Sequence, residues 1–275
     1  MVLNGIKISR LFIESGLDLQ INEKITIKHP HIRDIISLGP TCEEDYWTFV
    51  YSIICDPYQN MVWLFDDYGI DYEKVDNFDV FCLQMQRLNH NYKENQSLYD
   101  QIGFSPTGAM FYGLSLFIAG EHNKFQLVKD YHTEEMVIID PDDDLFRIDR
   151  KAFNTMVSFI EMIHCISLED QIHPDSEGAK KILLKQMRKK QKKMLERNDL
   201  SEKDEDVIGS IIASVVYGGN GSITPFNVMD LSIYQLLIAN KTTHKKFNID
   251  HLMNGVYAGT VKSESIKDKD LSWAD

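Results

Sequence analysis

The acidic run Asp140-Pro-Asp-Asp-Asp144 could bind a metal, because closely spaced carboxylates are ligands for Ca²⁺. A helix-loop-helix calcium loop needs oxygen ligands at positions 1, 3 and 5, a glycine at position 6 and a bidentate Glu at position 12. Asp140, Asp142 and Asp144 fit the first three positions, but position 6 is Leu145 and position 12 is Lys151. We therefore expect a solvated acidic turn. A metal-dependent hydrolase is the alternative, and it would carry stoichiometric metal.

The histidines, glycines and serines that could belong to metal-binding or catalytic motifs lack the partner residues that such motifs need. His29-x-His31 has no third ligand nearby, and His164-Cys165 and His173 are accompanied by no H-E-x-x-H motif or cysteine pair. The glycines between 218 and 221 are not followed by the Gly-Lys-Ser/Thr ending of a phosphate loop, and G-x-S-x-G is absent. We therefore predict a non-enzymatic protein with no catalytic residues, no metal site and no cofactor.

A strongly basic helix is predicted between residues 180 and 197, and it could bind a polyanion. It contains no aromatic residue for stacking on single-stranded nucleic acid, and the net charge of −13 argues against duplex nucleic acid as the main partner. The helix is either a solvated amphipathic helix or a surface for an acidic protein. In the second case the residues expected to contact that partner are Lys189, Lys190 and Lys193.

The C-terminal residues carry large aromatic side chains, which are unfavourable in water. Tyr257 lies between Gly255 and Gly259, and Trp273 follows. We expect residues 252–275 to fold back on residues 207–250, with the two glycines permitting the turn. The alternative is a contact arm that binds a partner through Tyr257 and Trp273.

The helices and strands that position these residues can be predicted from the sequence pattern. Together they form an α+β fold that is predominantly α-helical. Alternating apolar and polar residues predict an N-terminal β-hairpin from Leu17–Asn22 and Lys24–Lys28. Two short strands, Phe125–Lys129 and Met136–Asp140, and a further segment at Leu145–Asp149 predict a small β excursion near 123–148.

Apolar residues at three- and four-residue spacing predict the helices. Pro30 begins one that Gly39-Pro40 ends, and others follow between 43 and 86, with Asp76 or Asn77 as a cap. Asp149 is expected to cap a helix that reaches His164, and Asp230 or Ser232 to cap a final long helix over Val228–Ala239. The C-terminal module is thus predicted to be helical.

Charge and length indicate how the chain is organised. Its 275 residues are 43% hydrophobic, which is enough for a core, and a basic-to-acidic stretch over 177–206 indicates a boundary. We predict an N-terminal mixed α/β body at 1–176, a charged helix and linker at 177–206 and a C-terminal helical module at 207–275. No signal peptide or membrane span is expected, and four distant cysteines predict reduced thiols in a cytoplasm.

Several segments, in order, resemble a family of proteins from tailed phages and prophages of Gram-positive bacteria. The first runs from Ile21 to Gly39 and contains a Pro-x-Ile-x-x-Ile helix. The second runs from Asp56-Pro57 through Trp63-Leu-Phe-Asp-Asp-Tyr-Gly-Ile-Asp71 to Asp76-Asn-Phe-Asp-Val-Phe81. Later ones are the passage from Asn154 to Pro174 into the charged helix, then Leu231-Ser-Ile-Tyr-Gln-Leu236, Asn254-Gly-Val-Tyr-Ala-Gly-Thr-Val261 and Leu271-Ser-Trp273.

The resemblance implies a tail assembly chaperone, or another tail-morphogenesis protein, that is encoded near the tape-measure protein. Such a protein holds the long helical tape measure while tail-tube subunits polymerise around it. It works in the cytoplasm of the bacterial host, and its partners are the tape-measure protein or other tail proteins, without nucleic acid or membrane. The alternative is a structural tail or baseplate component that stays in the virion tail. The client and any homo-oligomeric state are left open.

Overall fold

The computed structural model describes residues 2–3, 6–55, 62–71, 74–102, 105–120, 124–166, 176–198, 207–219, 221–262, 266 and 271. The helices are α1 (Arg10–Glu14), α2 (Ile32–Ile36), α3 (Cys42–Ile54), α4 (Val62–Asp67), α5 (Asn77–Glu94), α6 (Gln96–Ile102), α7 (Pro106–Leu116), α8 (Arg150–Ile163), α9 (Glu177–Asn198), α10 (Val207–Gly218) and α11 (Ile233–Tyr257). The strands are β1 (Val2–Leu3), β2 (Ile6–Lys7), β3 (Leu19–Gln20), β4 (Thr26–Ile27), β5 (Gln126–Lys129), β6 (Met136–Asp140) and β7 (Asp143–Ile148).

The predicted fold class, α+β and predominantly helical, is confirmed. The N-terminal hairpin forms from β3 and β4, with Leu19 opposite Ile27. The β excursion is an antiparallel sheet in the order β5-β6-β7. A further short hairpin, β1 with β2, was not predicted.

Three helices begin at predicted capping residues, which satisfy backbone N–H groups that have no partner inside the helix. The side chain of Asp76 accepts a hydrogen bond from the N–H of Asp79 at the start of α5. Asp149 does the same for Ala152 in α8. At α11 the cap is Ser232, so the second of the two predicted candidates is right.

The chain divides into two compact units. The first consists of residues 1–9, 17–29 and 44–205, and the second of residues 10–16, 30–43 and 206–275. Each unit is therefore assembled from three separate segments of the chain.

The core of the first unit forms around α8, whose apolar side points inwards. Phe153 is fully buried, and the centroid of its ring lies 5.1 Å from that of Phe78 and 4.9 Å from that of Phe81, both on α5. From the sheet, Ile138 and Phe146 are buried as well. These contacts are ordinary aromatic and aliphatic packing, which is the main source of stability in such a core.

The second unit joins α1 and α2 to the start of α11. The backbone N–H of Ile32 donates to the carbonyl oxygen of Leu231 at 3.0 Å, and the N–H of Ile233 donates to that of Pro30 at 2.9 Å. The Gln235 side chain donates through Nε2 to the carbonyl of Glu14 at 2.9 Å, and its Oε1 accepts from the N–H of Ser232. Segments nearly two hundred residues apart thus share one hydrogen-bonded cluster.

The end of α11 differs from the prediction. The helix does not stop near Ala239 but continues to Tyr257, so Gly255 lies inside it. The chain reverses only at Gly259, which has a φ of +70°, and the N–H groups of Thr260 and Val261 donate to the carbonyl of Gly255. This is a helix end closed by a left-handed glycine. Gly255 serves instead as a close-packing site, because an added Cβ would lie 2.8 Å from Cγ2 of Val261.

Candidate partner-binding surfaces

The acidic run forms the turn between β6 and β7. Asp140 is buried and accepts a hydrogen bond from the N–H of Asp142 at 3.0 Å. Asp142 pairs with Lys124 at 2.7 Å, and Asp143 pairs with Lys24 at 3.0 Å. The carboxylate of Asp140 therefore stabilises the turn, and those of Asp142 and Asp143 make ion pairs with lysines.

His164 is buried in the first unit beside Tyr46, and the hydroxyl oxygen of Tyr46 lies 2.7 Å from its Nε2. Burial lowers the pKa of His164 to about 4, with a further contribution from His29, although the hydrogen bond to the Ile160 carbonyl acts in the opposite direction. A side chain enclosed in this way cannot reach a substrate, so its role is structural.

Two thiols are also enclosed. Burial raises the pKa of Cys82 to about 12, and the nearby Asp79 carboxylate adds to the effect. Burial, with a smaller contribution from Cys82, raises the pKa of Cys55 still further. Because the thiolate is the nucleophile, these two cysteines are poorly suited to nucleophilic chemistry.

Within the described ranges, no three His, Cys, Asp or Glu side chains are grouped so that they could hold a metal ion. Among the helices of the same ranges, none is both long and apolar enough to cross a membrane.

The second unit contains a groove between α10 and α11, with a volume of about 550 Å³. Its lining includes Val215, Gly218, Ile223, Ala239, Thr242 and Phe247. Lys246 and Asp250 supply charges to the same lining. Phe247 is 59% exposed as a residue, and its ring lies edge-on to His251 with 4.2 Å between ring centroids. The groove is thus mainly apolar, with an aromatic side chain fixed within it.

Helix α10 is strongly apolar but only partly buried. Its sequence is Val-Ile-Gly-Ser-Ile-Ile-Ala-Ser-Val-Val-Tyr-Gly, all of it described, and its buried side chains are Ile208 and Val215. Ile211, Ile212 and Val216 are half-buried, and Val207 is exposed. Tyr217 is 81% exposed. Phe226 and Tyr257 in the same unit are exposed as well. Apolar surface that a chain leaves uncovered commonly marks a site where another protein binds.

The first unit carries the predicted basic helix as α9. We use the name basic face for its exposed side chains Lys181, Lys185, Lys189, Lys192 and Lys193. Arg188 forms ion pairs with Asp66 and Asp67 of α4. One turn before Arg188, the side chain of Leu184 is buried.

The structure brings together part of the predicted partner-binding set. Lys189 and Lys193 are exposed one helical turn apart on the basic face. Tyr257 is 80% exposed at the end of α11 in the other unit, so its ring does not dock on the helical module as the fold-back prediction requires. The side chain of Lys190 and all of Trp273 lie outside the described residues.

Sequence reasoning did not identify the residues of the groove. The apolar stretch 207–216 was the available signal, since it has more aliphatic side chains than a single buried stripe can hold. Phe247 and Thr242 could not be found in this way, because the prediction ended the last helix at Ala239.

One family model matches the chain, that of the YomV second domain, over residues 203–275. YomV is encoded by a Bacillus phage. No curated protein and no solved structure matches the chain. Helices α10 and α11 and the groove between them lie wholly inside the matched region, which is therefore similar to a phage-encoded domain.

Proposed function

We propose that this protein is a non-enzymatic phage tail assembly chaperone that holds a helix of the tape-measure protein in the groove between α10 and α11. The groove carries the proposal, because it combines a mainly apolar cavity of about 550 Å³ with an aliphatic helix, several of whose side chains are only half-buried. An amphipathic helix laid in an apolar groove is a common mode of protein recognition. The similarity to a phage-encoded domain over 203–275 supports a phage-related role, and the ordered resemblance to tail proteins suggests the client.

Co-expression of the tagged full chain with the tape-measure protein of the same phage, followed by affinity purification, tests the proposal. We expect the two proteins to purify together. Phe247→Ala removes the aromatic side chain from the groove, and it should weaken the complex about tenfold, as truncation of an interface anchor typically does. Loss of the complex with an unchanged melting temperature would locate the contact at the groove.

Phe226→Ala is the matched control, because Phe226 is 93% exposed in the same unit and does not line the groove. It should leave binding unchanged. Equal losses for the two variants would contradict a specific groove contact.

A structural tail or baseplate component would remain in the particle, so finding this chain in purified virions by mass spectrometry would overturn the chaperone role.

A further inference from the structure

The basic face of α9 is a continuous surface. Lys181, Lys185 and Lys189 follow one another at four-residue intervals, and Lys192 and Lys193 extend the row. At 1.5 Å per residue the row is about 18 Å long. All five side chains are exposed.

The orientation of this face is fixed by contacts on the other sides of the helix. Leu184 is buried, Leu183 and Met187 are half-buried, and Arg188 pairs with Asp66 and Asp67 on α4. Because the helix packs with its apolar side inwards, the lysines point to solvent.

A row of lysines at four-residue spacing destabilises a helix, because like charges one turn apart repel each other. The helix contains nine basic residues but just two acidic ones, Glu177 and Glu196, near its ends. A partner with carboxylates at the same spacing would remove this repulsion and replace it with attraction. The face is thus electrostatically complementary to an acidic surface.

Two features favour a short acidic helix over an extended polyanion. Ile182 is 61% exposed and lies one turn from Lys185, so the face offers an apolar contact among its charges. The chain as a whole has a net charge of −13, which repels a nucleic acid that reaches beyond the 18 Å row. A helix of matching length avoids that repulsion.

We propose that the basic face of α9 binds an acidic amphipathic helix of a partner protein, with carboxylates at four-residue spacing opposite the lysines and an apolar side chain on Ile182. This inference does not depend on the groove or on the identity of its client, so the two can fail separately.

The probe is a labelled synthetic helical peptide of about 20 residues, long enough to be partly helical alone. It carries glutamates at four-residue spacing along one face and a leucine beside them. A second peptide has the same composition with the glutamates distributed around the helix. Fluorescence anisotropy with the full chain should show binding that weakens as salt is raised, and the striped peptide should bind about tenfold more tightly than the distributed one.

The decisive variant is Lys185→Glu/Lys189→Glu/Lys192→Glu. Its matched control is Lys93→Glu/Lys151→Glu/Lys241→Glu, which changes net charge equally at exposed positions on α5, α8 and α11. The first should weaken binding by about tenfold or more, and the second by less than about threefold. If charge reversal unfolds the chain, Lys185→Gln/Lys189→Gln/Lys192→Gln gives the same comparison without new repulsion.

Equal losses in the two variants would reduce the effect to net charge and overturn the proposal. Equal affinity for the two peptides would do the same. Tighter binding of a DNA duplex or of phosphatidylserine vesicles than of the striped peptide would assign the face to another class of partner and would also overturn it.

Discussion

The Tyr46 hydroxyl donates a hydrogen bond to Nε2 of His164 across 2.7 Å in the core of the first unit. The direction follows from the other side of the ring, where Nδ1 lies 2.6 Å from the carbonyl oxygen of Ile160. A carbonyl can only accept, so Nδ1 carries the proton and Nε2 of the neutral ring is the acceptor. The pair thus holds the imidazole in its neutral form.

Acid should destabilise the protein through His164. The folded-state pKa is about 4 and the ordinary value is 6.5, so the unfolded chain binds more protons between these two pH values. The free energy of unfolding should therefore fall as pH is lowered through this window, by about 2 kcal/mol between pH 7 and pH 5. Urea titrations at the two pH values measure this loss.

The double variant Tyr46→Phe/His164→Leu serves as the control, because it removes both partners together. It should lose about 2 kcal/mol less between pH 7 and pH 5 than the unmodified chain. An unchanged pH profile in the double variant would contradict the assignment to His164.

Arg150→Lys should destabilise the protein, because the Arg150 side chain links the start of α8 to the start of α5. Its two terminal nitrogens lie 2.7 Å from Asp76 and 2.7 Å from Asp79, at the start of α5. Lysine lacks the planar fork, so it cannot serve both carboxylates. We expect a loss of about 1 to 2 kcal/mol in the free energy of unfolding.

Arg87→Lys, at an exposed position on α5, is the comparison for Arg150→Lys. It should change stability by less than about 0.5 kcal/mol. Similar effects of the two substitutions would show that the bidentate pairing contributes nothing measurable.

Ser232→Ala should weaken the start of α11. The serine is fully buried, and its oxygen accepts from the N–H of Gln235 while the Gln235 side chain accepts from the N–H of Ser232. Loss of such a cap costs about 1 to 2 kcal/mol. Ser210→Ala, at an exposed position inside α10, should have little effect or stabilise slightly. Hydrogen exchange at the first amides of α11 would report the change locally, and unchanged exchange there would refute it.

Gly113→Ala reverses the usual expectation for a helix. Alanine normally stabilises a helical position relative to glycine. At Gly113, however, the new Cβ would lie 2.6 Å from Cδ1 of Phe49, so α3 and α7 could not keep their separation. We expect a loss of about 1 to 3 kcal/mol in thermal or chemical denaturation. At Gly178 the nearest side-chain atom is 3.9 Å away, and Gly178→Ala should be neutral or stabilising.

Local patterns explain which elements could be predicted. The strands around 126–148 are short runs rich in aliphatic residues, and Asp76, Asp149 and Ser232 precede helices with apolar spacing, so each was recognisable from a few neighbouring residues. The last helix was underestimated because Asn240 to Asp250 are mostly polar, and the apolar spacing that indicates a helix is lost there.

Of the two candidate binding surfaces, one could be predicted from the sequence and the other could not. Charge spacing pointed to Lys189 and Lys193, because basic residues on a helix are readily recognised. The groove was not recognisable, since it depends on how α10 packs on α11 and on Phe247, a residue whose own neighbourhood is polar. Nothing local in residues 30–36 indicates that their backbone bonds with Leu231 and Ile233.

Those last bonds determine when the second unit can be completed during synthesis. Pro30 and Ile32 leave the ribosome about two hundred residues before Ile233 and Leu231, which is on the order of 10 to 40 seconds at ordinary elongation rates. For that interval the buried Ile32 and Ile35 lack the segment against which they finally pack. Translation speed, and any factor that shields nascent chains, should therefore influence the yield of folded protein more than its final stability.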